Sequence, residues 1–586
     1  MVKIEINGTA LEVPRGTRIL DAAKKLGIKI PTLCTHPDLE PWAACGLCVV
    51  KVEGSPKLPR ACATAVIDGA KYTTHDPELN KVRRTTIEMM VANHPNECLT
   101  CGRSGSCELQ SMAANFGIRE IPFHSRVPDL PRDESTPSLI LDPRKCIGCG
   151  RCVLVCQQLQ DVWALEFLNR GDDTRMMPAG GALLNESPCI KCGQCSAHCP
   201  VGAIYERDET EKLLEAIRNP ELHVAVQVAP AVRVAIGEAF DLPPGEITTG
   251  KLYAALRRLG VDAVFDTNFS ADLTIMEEGT ELIERLTKGT GEIPLITSCC
   301  PSWVDYMEKY YDDMIPHFST AKSPMMMQGI ITKTYYAEQK GLSSKQIFSA
   351  AIMPCTAKKY ECTRDENMFA SGEQDVDVSL TTRELARLLK AAGVDFASLP
   401  NEQADSPIGA YSGAGTIFGA TGGVMEAALR TAHFLVTGED HKAITFDVVR
   451  GMDGIRSANV KVGSTTVRVA IAHGIANVRD LMNEIRETKA AGKEPPYHFI
   501  EVMACRGGCI SGGGQPYATS SDETRAKRIA GIYKDDSQSA VRCSHHNPFV
   551  RKLYEDFLEK PNSHKAHELL HTTYRSRALY KKRTAV

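Results

Sequence analysis

Apolar residues at Ile4, Ile6, Leu11 and Val13 alternate with polar ones on either side of Asn7-Gly8, a pattern that predicts a β-hairpin over residues 2–13. A helix is expected next, from Thr17 to a stop at Gly27. After about residue 220 the pattern changes to short apolar runs separated by amphipathic stretches. Strands are expected at 223–228, 263–266, 294–297, 348–353, 467–472 and 498–503, with helices at 251–259 and 382–392. Apolar strand followed by amphipathic helix, repeated, predicts an α/β region, and sites in such sheets lie just past the carboxyl ends of strands. Between the two parts, the Pro-rich stretch 122–137 carries no helix signal and reads as a linker.

Length and composition narrow the class. With 586 residues and 43% hydrophobic content, the chain predicts several globular domains. A net charge of −4 leaves no excess of cations for a dedicated nucleic-acid binder. No apolar run approaches the roughly 20 residues of a membrane span, and the N-terminus has no leader pattern, so a cytoplasmic protein is expected. The 22 cysteines change the picture. Without an export signal a disulfide scaffold is not expected, and reduced thiols in this number point to metal.

Fifteen cysteines lie between Cys34 and Cys199. Cys34, Cys45, Cys48 and Cys62 form C-x10-C-x2-C-x13-C in loops after the predicted hairpin and helix, the order of a β-grasp ferredoxin. Their first gap departs from the plant-type C-x4-C. His94, Cys98, Cys101 and Cys107 form H-x3-C-x2-C-x5-C, open to either a cluster with one imidazole ligand or a Cys3His zinc site. Cys146, Cys149, Cys152 and Cys156, then Cys189, Cys192, Cys195 and Cys199, repeat the bacterial two-cluster ferredoxin motif, in which the fourth cysteine serves the other cluster. The expected sets are therefore Cys146, Cys149, Cys152 with Cys199, and Cys189, Cys192, Cys195 with Cys156. Gln157 stands where proline is usual, and 32 residues separate the copies; neither change removes a ligand. Clusters in series move single electrons, so this third of the chain reads as a wire.

In the second part Cys299 and Cys300, Cys355, and Cys505 and Cys509 each follow a predicted strand. Three strand ends thus offer Cys300, Cys355, Cys505 and Cys509 as a fifth four-thiolate set. The segments Thr297-Ser298-Cys299-Cys300-Pro301-Ser302-Trp303, Met353-Pro354-Cys355-Thr356-Ala357-Lys358 and Glu501-Val502-Met503-Ala504-Cys505-Arg506-Gly507-Gly508-Cys509 resemble the three signature loops of [FeFe]-hydrogenases. The first two cysteine modules resemble those shared by the large iron-sulfur subunit of respiratory complex I and modular iron hydrogenases. The module order is similar to that of the D subunit of tetrameric NADP-reducing hydrogenases, and the tail resembles the segment that some members carry as a separate small subunit.

That resemblance implies a multi-domain α+β and α/β chain. Its expected parts are a [2Fe–2S] β-grasp ferredoxin domain over 1–78, a His/Cys [4Fe–4S] module over 79–121, a two-[4Fe–4S] module over 138–210, an α/β H-cluster domain over 220–520 and a helical tail over 521–586. It implies one [2Fe–2S] cluster, three [4Fe–4S] clusters and an H-cluster, in which a [4Fe–4S] cluster bridges through Cys509 to a diiron unit carrying CO, cyanide and a dithiolate. Lys358 would donate to one cyanide, and Met353 and Met503 would pack against the diiron unit. Pro230 and Ala231 would line it; many relatives have Ser at Ala231, so retuning is expected there. The implied proton relay runs Glu281, Ser319, Glu278, Cys299, with Cys299 a proton donor and not a ligand. No role follows for Cys362 or Cys543.

The resemblance implies reversible reduction of protons to H₂, with ferredoxin or a flavin- and NAD(P)-binding partner subunit in a hetero-oligomer as electron partner, and maturation proteins to build the H-cluster. Gly413-Ala414-Gly415-Thr416-Ile417-Phe418-Gly419 lacks the preceding strand and the G-x-G-x-x-G register of a dinucleotide loop, so close backbone packing is expected there. A non-catalytic assembly factor, a sensory hydrogenase and a complex I-type or formate dehydrogenase subunit are the competing readings. Cys299, Lys358 and the complete third loop favour catalysis.

Overall fold

The computed structural model describes residues 1–124, 127–441, 445–517 and 521–580. Parts of the expected linker (125–126), catalytic domain (442–444, 518–520) and tail (581–586) lie outside them.

Strands Val2–Ile6 and Thr9–Val13 pair around Asn7 and Gly8, both at positive φ, which is why Asn-Gly suits this two-residue turn. With Lys51–Val52 and Lys71–Thr73 they form a four-stranded sheet. The helix Ile19–Lys25, shorter than expected, buries Ile19, Ala22 and Ala23 in the same core as Ile4 and Ile6. The next helix, Pro77–Ala92, is N-capped by Asp76 with Pro at N1. Its buried Arg83 donates to the carbonyls of Leu47, Val49 and Thr74 at 2.7–3.0 Å, joining this helix to the first module. In the two-cluster module Leu139–Leu141 pairs with Ile204–Glu206, and the residues between the two motifs contain the small hairpin Glu166–Leu168 and Arg175–Met177.

The α/β region holds two sheets. One is all parallel, in the order 263–266, 223–228, 347–353, 378–381. The other pairs 295–296, 499–503 and 465–473 in parallel and adds 455–462 antiparallel at its edge. The central strands are buried on both faces, as parallel sheets require. Two edge strands were not expected. Val378–Thr381 is only four residues long, and Ile455–Val462 is largely solvent-facing, burying just Val460 and Val462.

The tail is part of the catalytic body. Leu553, Leu558, Leu569 and Leu570 share a core with Phe265, Phe269 and Met327, and the Lys322 N–H donates to the Leu570 carbonyl at 2.8 Å. Among the described residues no helix is long and apolar enough to cross a membrane.

Candidate active site

The strands ending at Val228, Ile296, Met353 and Met503 send their loops to one buried cavity. Pro230, Ala231, Cys299, Cys300, Met353, Cys355, Lys358, Met503, Cys505 and Cys509 all line it. Each loop has a local reason for its shape. Cys300 caps the helix Pro301–Tyr310, whose Pro301 sits at N1, and fully buried Trp303 donates to the Thr297 carbonyl at 3.2 Å. The third loop turns through Gly507 and Gly508 at φ +77° and +97°, which returns Cys509 to the same cavity as Cys505. A Cβ on Gly508 would stand 2.7 Å from the Thr421 nitrogen and 2.8 Å from Met503 Sδ, so both conformation and space require glycine.

Lys358 Nζ donates to the Cys299 carbonyl at 3.2 Å and to Glu361 at 2.6 Å. Burial works against its charge, but Glu361 outweighs burial and holds the ammonium pKa above its usual value. Burial, with Glu278 and Cys300 nearby, pushes the Cys299 thiol well up, so it stays protonated at neutral pH.

Behind Cys299 lie the three other expected relay groups, all buried. Ser319 Oγ donates to Glu281 Oε2 at 3.0 Å and is within hydrogen-bond reach of Glu278. Burial raises the Glu278 carboxyl to about 8. Arg285 Nη2 donates to Glu281 at 2.7 Å, a partner that the sequence pattern did not single out.

The other cysteines group as follows. Cys34 and Cys45 place their sulfurs 3.4 Å apart, and Cys62 lies within thiol contact of both Cys34 and Cys48. Cys146, Cys149, Cys152 and Cys199 are electrostatic neighbours, as are Cys156, Cys189, Cys192 and Cys195, so the structure brings together the crossed sets. Cys34, Cys45, Cys107, Cys146, Cys149 and Cys199 share one apolar cluster, where the first three modules meet. At the other end Gln194 Nε2 donates to Cys505 Sγ at 3.2 Å and to the Ser511 carbonyl at 2.9 Å. Gly193 and Gly513 touch there: a Cβ on Gly513 would lie 2.2 Å from the Cys192 carbonyl oxygen. The second cluster motif therefore abuts the strand-end cysteines. All the cysteines are outside disulfides.

With this geometry in place, similarity to known proteins is specific. Residues 222–513 match the C-terminal domain of the iron only hydrogenase large subunit, and 522–577 match the iron hydrogenase small subunit. Residues 1–77 match a 2Fe-2S iron-sulfur cluster binding domain, 83–122 the NADH-ubiquinone oxidoreductase-G iron-sulfur binding region and 145–203 a 4Fe-4S dicluster domain. The chain is 47% identical over 585 residues to NADP-reducing hydrogenase subunit HndD of Solidesulfovibrio fructosivorans, covering 98% of this chain and 99% of that one. The chain belongs to the [FeFe]-hydrogenases. Iron hydrogenase 1 of Clostridium pasteurianum is 39% identical over 98% of this hydrogenase and 100% of its own length. A solved apo variant of the [FeFe]-hydrogenase HydA1 from Chlamydomonas reinhardtii is 41% identical, covering 64% of this chain and all of that one with a TM-score of 0.55.

Two buried groups fit the cofactors that this family implies. His94 Nε2 is buried with no hydrogen-bond partner, and burial lowers the imidazole to about 4, leaving it neutral with a nitrogen to offer a metal. Lys358 brings a charged donor to a cavity otherwise lined mainly by apolar groups and thiols, as an anionic ligand would need.

Several site residues of the hydrogenase carry no motif of their own. Thr267, Pro324 and Met325 line the cavity from helices and Phe418 from the turn after Gly413–Ile417, and Gln515 holds the Ala231 carbonyl at 2.9 Å. Glu501, at the start of the third loop and outside the cavity wall, is raised by burial to about 7 and accepts from the Gly422 and Met425 N–H groups at 2.6 and 2.7 Å. The glycine run 413–419 packs as expected: a Cβ on Gly415 would lie 2.3 Å from the Asn268 carbonyl oxygen.

Proposed function

We propose that this hydrogenase interconverts protons and H₂ at the strand-end cavity, where Cys300, Cys355, Cys505 and Cys509 would hold the H-cluster, Cys509 serving both its [4Fe–4S] and its diiron part. The convergence of four loops from two sheets on Cys299, Lys358 and these four thiols carries the reading. When bound, the H-cluster supplies the two-electron chemistry of H₂. Lys358 Nζ, already charged, donates to an anionic ligand of the cluster, and Met353 and Met503 give it soft apolar packing beside Pro230 and Ala231. Ala231 has no hydroxyl, so its backbone N–H is the remaining donor at that point.

Protons reach the cavity along Glu281, Ser319, Glu278 and Cys299. Glu278, with its pKa raised to about 8, holds a proton at neutral pH, and Cys299 Sγ presents the last one that the protein carries. Arg285 fixes Glu281 at the outer end.

Cys34, Cys45, Cys48 and Cys62 would hold one [2Fe–2S] cluster, which with three [4Fe–4S] clusters would supply a path for single electrons. His94, Cys98, Cys101 and Cys107 would hold the first [4Fe–4S] cluster, and the crossed sets of the two-cluster module the other two. The shared apolar cluster around Cys34, Cys107 and Cys149 supports a wire with two inputs that join at the Cys146 set. Contact between Gln194 and Cys505 supports delivery from the Cys192 set. Ferredoxin or a flavin- and NAD(P)-binding subunit in a hetero-oligomer is the external partner, the latter in line with the relative named as an NADP-reducing hydrogenase subunit. Maturation proteins would build the diiron unit, and the cytoplasm is the proposed compartment.

The test is Cys299→Ser in the matured chain. Turnover with a reduced dye should fall by about 100-fold or more while the iron content and the diiron infrared bands persist. Activity like the wild type would remove Cys299 from proton delivery.

A further inference from the structure

A second cluster of metal-binding side chains lies away from the iron cysteines, where the tail meets the catalytic body. His545 and His546 stand in the short turn Ser544–His546, and Asp440 follows the helix Gly423–Thr437. Both imidazole Nε2 atoms reach the same carboxylate oxygen, Asp440 Oδ1, at 2.9 Å each. One ligand atom from each of the three residues lies within 4.8 Å of the others. His545 is held rigidly: its Nδ1 meets Thr431 Oγ1 at 3.1 Å and its ring stacks on Phe434 at 4.2 Å between centroids. Its Nε2 is thereby aimed at the carboxylate. Asp440 and His546 are partly exposed and free to adjust by a few tenths of an ångström.

Beside them is a cavity of about 300 Å³ lined by Asp440, His546 and Cys543. Cys543 is one of the two cysteines that the iron clusters leave without a role. The arginines on the cavity wall do not compete for Asp440, since Arg430 pairs with Glu426 and Asp536, and Arg542 with Asp536. Two imidazoles and one carboxylate make an N₂O donor set that suits Zn²⁺. Tetrahedral zinc with bonds near 2.0–2.1 Å separates its N and O ligands by roughly 3.3 Å, so the 2.9 Å contacts need open only slightly.

We propose that Asp440, His545 and His546 form a zinc site that clasps the tail to the loop after the helix Gly423–Thr437. Three protein donors hold the ion and water takes the fourth position. The clasp bears on the catalytic body, because that helix packs against Thr267–Lys288, which carries Glu278 and Glu281.

The test uses the full chain with its iron clusters, incubated with Zn²⁺ alone, desalted, and examined by metal analysis and zinc-edge X-ray absorption, to which iron does not contribute. About one tightly held zinc per chain is expected, with four N/O ligands near 2.0 Å and no sulfur. His546→Ala and Asp440→Asn should each lower retained zinc at least about fivefold, both with iron content unchanged. Zinc below about 0.1 per chain in the wild type would overturn the proposal. So would an all-sulfur shell, which would mark zinc in a cluster site, or a shell unaltered by both substitutions.

Discussion

Burial governs the charge of Glu278, and this has a measurable signature. Below about pH 4.5 its carboxyl is protonated in folded and unfolded chains alike. Between there and about 8 only the folded chain keeps the proton, so stability falls as pH rises, by at most ~1.4 kcal/mol per pH unit, and the loss is complete above about 8. Glu278→Gln removes this titration. Its unfolding midpoint should therefore gain on the wild type between about pH 5 and 8 and run parallel above, and midpoints that stay parallel throughout would show that Glu278 is not held neutral. The same residue illustrates what a pattern can and cannot convey. Glu278 and Glu281, three apart on a helix, share a face in any helix, yet only the packing of Ser319 and Arg285 distinguishes a buried pair from a solvated one.

At the scale of elements, the cysteine spacing and the strand-end rule placed the main loops, because ligand geometry constrains residues close in sequence. Contacts between distant segments left no such mark. Gln194 on Cys505, Gln515 on Ala231 and Phe418 on the cavity wall are each ordinary residues whose role comes from tertiary approach. The tail was legible as helix but not as part of the core, since Leu553 and Leu570 find their partners more than 200 residues earlier.

One such long-range contact makes a prediction. Buried Asp38 of the first module accepts from Arg525 of the helix Asp522–Gln538 and from His198 of the two-cluster module. Burial opposes its charge, but the His198 and Arg525 hydrogen bonds win, holding the carboxyl below its usual range. It therefore stabilises the docking above about pH 4 and loses this as the group protonates at lower pH. Asp38→Ala leaves the 3%-exposed Arg525 with Asp522 as its one carboxylate partner, at a cost of about 1.5–3 kcal/mol. Hydrogen exchange should quicken in the 30–50 loop and at the start of the helix Asp522–Gln538. Unchanged protection in both segments would mean that other contacts hold the module.

For the whole molecule, electrons arrive singly through cluster modules, and neither a flavin motif nor a dinucleotide loop is evident in the sequence. Hydride transfer needs a carrier that pairs electrons, which an iron-sulfur cluster is not. The purified chain should thus evolve H₂ from a reduced dye or ferredoxin but reduce NAD(P)⁺ only when a flavoprotein is added. Substantial NAD(P)⁺ reduction by the flavin-free chain would reveal a nucleotide site on this polypeptide. The claim on which the rest depends is that the strand-end cavity holds a diiron unit bearing CO and cyanide. Infrared spectroscopy of the chain after maturation tests it most directly, because protein groups do not supply those stretching bands. The account predicts CO and cyanide bands in the wild type that Cys299→Ser retains and Cys509→Ala loses; a matured, iron-replete wild type without such bands would contradict it.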